Sequence, residues 1–102
     1  MAELGCTVTR VGDYESRTEE YELVYSVGQA KPHSLRIKYQ AARAYEINAA
    51  LDSGVEAARR AIAEDDPDRK GPTDEALSKF SWRAIQAAKY GEGKPVGSSM
   101  EY

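Results

Sequence analysis

Strict alternation between residues 19 and 27 constrains this chain more than any other feature. In Glu19-Glu20-Tyr21-Glu22-Leu23-Val24-Tyr25-Ser26-Val27, the side chains of Tyr21, Leu23, Tyr25 and Val27 fall on one side. Glu20, Glu22 and Ser26 fall on the other. Period two with one apolar face describes a strand with one side on a core and one in water. A lone strand cannot bury its face, so the chain must supply a strand partner and a covering layer. Cys6 to Val11, with β-branched Thr7, Val8, Thr9 and Val11, supplies the partner. Gly12-Asp13-Tyr14-Glu15-Ser16-Arg17 between them has the polar composition of a hairpin loop.

Helices supply the covering layer. Gly28-Gln29-Ala30-Lys31-Pro32 ends the sheet region. After it, Ser34 is placed to cap a helix opening at Leu35 that runs through Gln40-Ala41-Ala42-Arg43-Ala44 to Leu51. The alternation of Leu35, Ile37 and Tyr39 with Arg36 and Lys38 leaves a third strand as the other reading. Asp52-Ser53-Gly54 reads as a break. Ser53 and Glu56 then have the spacing of a capping box for a second helix, with Val55, Ala58 and Ile62 on its buried stripe and Glu56–Arg60 as an i,i+4 pair. A charged linker, Glu64 to Pro72, leads to a third helix capped by Thr73. Leu77, Phe80, Ala84, Ile85 and Ala88 share its apolar stripe, and Gly91 stops it. The expected fold is α+β: an N-terminal hairpin, with a possible third strand, packed by three helices. Residues 1–91 form one domain and 92–102 a flexible C-terminal tail.

Composition narrows the function. With 102 residues, 41% apolar and 30% charged, the chain is long enough for one modest core and too apolar for wholesale disorder. A net charge of −3 disfavours indiscriminate binding to polyanions. One cysteine and one histidine exclude an intrachain disulfide and a Cys/His zinc site. The first residues lack the basic start and apolar stretch of a signal peptide, and no apolar run has the length of a membrane span, so a cytoplasmic location is expected.

His33, after a proline, has no nucleophile or orienting acid marked out for it. Cys6 lies among strand threonines, where packing is the expected role. Asp66, Asp68, Gly71 and Asp74 match the first, third, sixth and ninth positions of a calcium loop. Lys70 at the fifth position and Leu77 at the twelfth defeat the site, and no metal or other cofactor is expected. Gly91-Glu92-Gly93-Lys94 follows a helix and opens none, unlike a phosphate-binding loop.

No pair of groups with catalytic spacing emerges, so the expected protein is not an enzyme. Trp82 gives the functional lead. It projects about 140° from Leu77 on the helical wheel, among Ser78, Lys79, Gln86 and Lys89. A lone indole on a polar face marks a contact made outside the helix's own core. Trp82, Lys79, Gln86 and Lys89, with Tyr39 from the doubly apolar Leu35–Leu51 segment, are the candidate partner-binding residues. The expected function is a small interaction protein, acting as an oligomer or as an accessory or inhibitory subunit on a larger protein. The alternative is a binding module for nucleic acid or a phosphorylated small ligand. Its candidate residues are Arg36, Lys38, Arg43, Arg59 and Arg60, with a tyrosine surface for stacking.

Overall fold

The computed structural model describes residues 2–12 and 17–102. Elements run in the order β1 (Glu3–Arg10), β2 (Thr18–Val27), β3 (His33–Gln40), α1 (Ala44–Asp65), α2 (Asp74–Lys89) and β4 (Val96–Glu101). The four strands form one antiparallel sheet in the order β3-β2-β1-β4, and both helices pack on one face of it. The class is therefore α+β, with two helices where three were expected. The turn expected between the first two strands lies outside the described residues from position 13 to 16.

The alternation in β2 behaves as its period requires. Tyr21, Leu23, Tyr25 and Val27 are all at most 1% exposed, facing the helices. Register pairs Cys6 with Tyr25 and Val8 with Leu23, so Leu4, Cys6 and Val8 of β1 share that face. Gly28, at φ +56°, makes the tight turn into β3, with Ala30 N–H bonded to Val27 O. The positive φ favours glycine there, and a β-carbon, 2.8 Å from Asp65 Oδ1, would also make that carboxylate turn aside.

Three sequence expectations are corrected. The segment from Leu35 is a strand: Ile37 and Tyr39 are buried, Arg36 and Lys38 are exposed, and Tyr21 pairs with Ile37. The helix-forming run at Gln40–Ala44 had been joined to it, but helix begins only at Ala44. Asp52-Ser53-Gly54 does not break the chain. α1 runs through it, with Ser53 Oγ donating back to Ala49 O rather than capping a new helix. The buried stripe of α1 is small, made of Ala50, Gly54, Ala57, Ala58 and Ala61 with Ile62, so the helix lies close against the sheet. Finally, the segment expected as a flexible tail forms β4, pairing Val8 with Val96 and Leu4 with Met100. Ala2 and Tyr102 exchange backbone hydrogen bonds at 3.0 Å just beyond it.

α2 follows its sequence signals closely. Thr73 Oγ1 accepts from Ala76 N–H, Asp74 and Glu75 occupy the first turn and Lys89 the last. Leu77, Phe80, Ala84, Ile85 and Ala88 are buried, joined by Ser81.

Candidate functional site

The helix pair meets the sheet on its inner side and leaves a groove on its outer side. From α1, Ile47, Leu51 and Val55 recur every fourth residue and remain only partly buried. From α2, Ser78 and Trp82 face them. Ile47, Asn48, Leu51, Ser78, Lys79 and Trp82 enclose a groove of about 320 Å³. It is flanked by a second hollow of about 470 Å³ at Asp52, Val55, Glu56, Arg59, Asp74 and Ser78. Val55 was expected on the buried stripe of a second helix, apart from the helix ending at Leu51. In the continuous α1, Ile47, Leu51 and Val55 form one half-exposed apolar ridge.

Trp82 is half-buried, its indole 6.4 Å from the Tyr39 ring. The helical wheel sets it off the Leu77 stripe, yet the indole is not free: it packs partly buried against the core, reaching Tyr39 at the end of β3. Lys79 is exposed and pairs with Glu75 at 3.2 Å. Gln86 is half-buried. Lys89 points elsewhere, with Nζ 3.8 Å from Glu19 Oε1. Tyr39 is 1% exposed and stacks on Tyr21 at 6.0 Å, so it belongs to the core and offers no surface to a partner. The structure thus brings Trp82 and Lys79 to one groove and separates Lys89 and Tyr39 from it.

The five basic residues do not form one patch. The helix expected from Leu35 would have carried both Arg36 and Arg43; instead Arg36 lies in β3 and Arg43 precedes α1. Arg36 pairs across the open sheet face with Glu22 at 3.1 Å and Glu20 at 3.8 Å. Lys38 lies on that same face. Arg43 pairs with Glu46, Arg59 with Asp74 at 2.7 Å and Arg60 with Glu56 at 2.6 Å. Four of the five therefore have an acidic neighbour already. His33 Nε2 lies 3.8 Å from Glu64 at the start of β3.

Two buried polar groupings escaped the sequence reading. Glu19 is 6% exposed and continues the inward parity of β2. It accepts from Tyr21 Oη at 2.9 Å and lies 3.9 Å from Arg10 and 3.8 Å from Lys89. Arg10 also donates to Lys89 O at the end of α2. Period two, carried one step further towards the N-terminus, was the signal for it. Burial pushes the nearby Tyr39 hydroxyl up to about 12, with the Glu19 charge adding to the effect. No groove described above is lined by Glu19 or Arg10, so the pair closes the end of the core. In the second grouping Tyr25 Oη hydrogen-bonds Ser81 Oγ above Gly54, with Cys6 beside them. Burial pushes the Cys6 thiol up to about 12, which keeps it protonated and unreactive at neutral pH.

Among the described residues no group of three or more His, Cys, Asp or Glu is placed to hold a metal ion. Among the same described residues no helix is long and apolar enough to cross a membrane. No protein family, curated protein or solved structure was found to match the chain. The molecule is defined by its architecture: a four-stranded antiparallel sheet backed by a helix pair whose outer groove carries its one tryptophan.

Proposed function

We propose that this protein is a non-enzymatic interaction module that docks through the outer face of its helix pair, onto a second copy of itself or onto a larger protein partner. The observation that carries the reading is the ridge of Ile47, Leu51 and Val55 facing Trp82, which the sheet does not cover. An aromatic anchor in an apolar groove with a polar rim is the usual make-up of an energetically important contact. Asn48, Asp52, Ser78 and Lys79 form that rim.

Sedimentation equilibrium, with Trp82 emission recorded over the same concentrations, tests the self-association form. A dimer whose indole emission shifts to the blue, and which Leu51→Asp abolishes, is the expected result. For the partner form, a photocrosslinking amino acid at position 82 should yield a larger product in native extract that Leu51→Asp removes. A monomer at every concentration, together with no Leu51-dependent crosslink, overturns the proposal.

A further inference from the structure

β4 is an edge strand, and its register shows which backbone groups face outward. Ala2 and Tyr102 exchange both of their hydrogen bonds. In an antiparallel pair such bonded pairs recur at every second residue, at Leu4/Met100, Cys6/Ser98 and Val8/Val96. Gly97, Ser99 and Glu101 therefore turn their N–H and C=O groups away from β1, along the rim of the sheet. An uncapped rim of this kind is a template for another strand. Gly97 and Ser99 carry little or no side chain there, and a β-carbon on Gly97 would meet nothing within 4 Å.

Beside this rim lies a groove of about 420 Å³ between β4 and α2, floored by Phe80 and Met100 and walled by Lys79 and Arg83. Two cations and no carboxylate line it. Lys79 and its partner Glu75 are 67% and 79% exposed, a pair that water screens. Arg83 makes no ion pair among the described residues.

We propose that the β4 edge and this groove form a docking site for an extended acidic peptide, which adds to the sheet as a fifth strand. Backbone hydrogen bonds to Gly97, Ser99 and Glu101 supply affinity, and alternate side chains supply specificity. Residues of the incoming strand opposite Ser98 and Met100 face α2, over Phe80 and between the two cations, where Asp, Glu or an aliphatic side chain fits. Their neighbours face the open side of the sheet. The site lies on the β4 side of α2 and shares only Lys79 with the rim of the Trp82 groove; the proposal does not rest on that groove.

A fluorescent heptapeptide of sequence TDTLTDT, which presents acid, leucine and acid on one side, is the probe; TKTLTKT is its charge-reversed control. Polarisation titration at low salt should show TDTLTDT binding and TKTLTKT binding at least tenfold more weakly. Arg83→Glu combined with Lys79→Glu, both exposed positions, should invert that preference. Amide hydrogen exchange should slow at Gly97, Ser99 and Glu101 when the peptide is added, and Trp82→Ala should leave the affinity unchanged. Four results would each overturn the proposal: no binding at millimolar peptide, equal binding of both peptides, protection confined to α1 and α2, or protection of the β4 amides by self-association without peptide.

Discussion

Gly54 of α1 faces the Tyr25 hydroxyl of β2, and it is a position at which helix propensity and packing oppose each other. Alanine would favour the helix by about 1 kcal/mol, yet its β-carbon would lie 3.0 Å from Tyr25 Oη and 3.5 Å from Ser81 Oγ. Overfilling a packed core costs about 1–3 kcal/mol, so Gly54→Ala is expected to lower stability by about 1 kcal/mol in urea unfolding. In a Tyr25→Phe background the same change should become neutral or stabilising, because the atom in the way is gone. Equal penalties in both backgrounds would show that the hydroxyl is not the obstacle. Glu19 offers a second residue-level test. Removing its carboxylate takes the acceptor from the buried Tyr21 hydroxyl and one partner from Arg10, whose side chain is 10% exposed, while Lys89 at 37% can turn to water. Glu19→Ala is therefore expected to cost about 3 kcal/mol, and Lys89→Ala less than about 1 kcal/mol. Similar losses for the two would contradict this account of the pair.

Single elements differ sharply in how legible they were. β2 and α2 could be read almost to the residue, since a continuous apolar parity and a Thr73 cap are local signals. α1 has no such signal at its start: Arg43 occupies the cap position, and its side chain makes no capping hydrogen bond. Helix-forming residues upstream therefore drew the expected helix back over β3, against the alternation of Leu35, Ile37 and Tyr39. Gly54 looked like a stop because glycine usually is one; its cause is a long-range approach to Tyr25 that no local window contains. β4 was missed because only Val96 and Met100 alternate with Gly97, Ser99 and Glu101, too weak a period without knowledge that β1 lacks a second neighbour. At the site, the wheel identified Trp82 and Lys79, whereas Ile47, Leu51 and Val55 became a ridge only once α1 was continuous. The expected weight of β4 can be measured. Truncation after Gly91 removes Val96 and Met100 from the core and opens an edge on β1. A loss of about 2–4 kcal/mol is expected, lowering Tm by at least about 10 °C. An unchanged Tm would mean that β4 contributes nothing to the folded state.

Across the whole molecule, the buried thiol and three buried phenols act in the same direction. Cys6, Tyr21, Tyr25 and Tyr39 all lose protons at higher pH in the folded protein than in the unfolded chain, chiefly because burial disfavours the charged forms. The unfolded chain therefore releases protons first as pH rises. Their stabilisation is complete below about pH 9 and falls as pH climbs towards the folded values, by up to about 1.4 kcal/mol per pH unit for each group. Urea unfolding at pH 7, 9 and 10.5 should show a level region and then a steep decline. A midpoint that stays constant to pH 11 would be incompatible with a protonated core. Ellman's reagent should modify Cys6 only as fast as the protein opens.

The pairing of Ala2 with Tyr102 places the two ends of the described chain side by side on neighbouring strands. A linker of a few residues could close the backbone into a ring without disturbing the sheet, and new ends could be cut in the exposed connection at Pro67–Lys70 between the helices. Such a permutant turns the β1–β4 pairing from the most distant contact along the chain into a simple hairpin. Closing a long loop slows folding more than it weakens the folded state. The permuted molecule should thus acquire its sheet sooner and keep the same surface grooves. It could also be carried as an insert in a loop of a host protein, entering and leaving at nearly the same point.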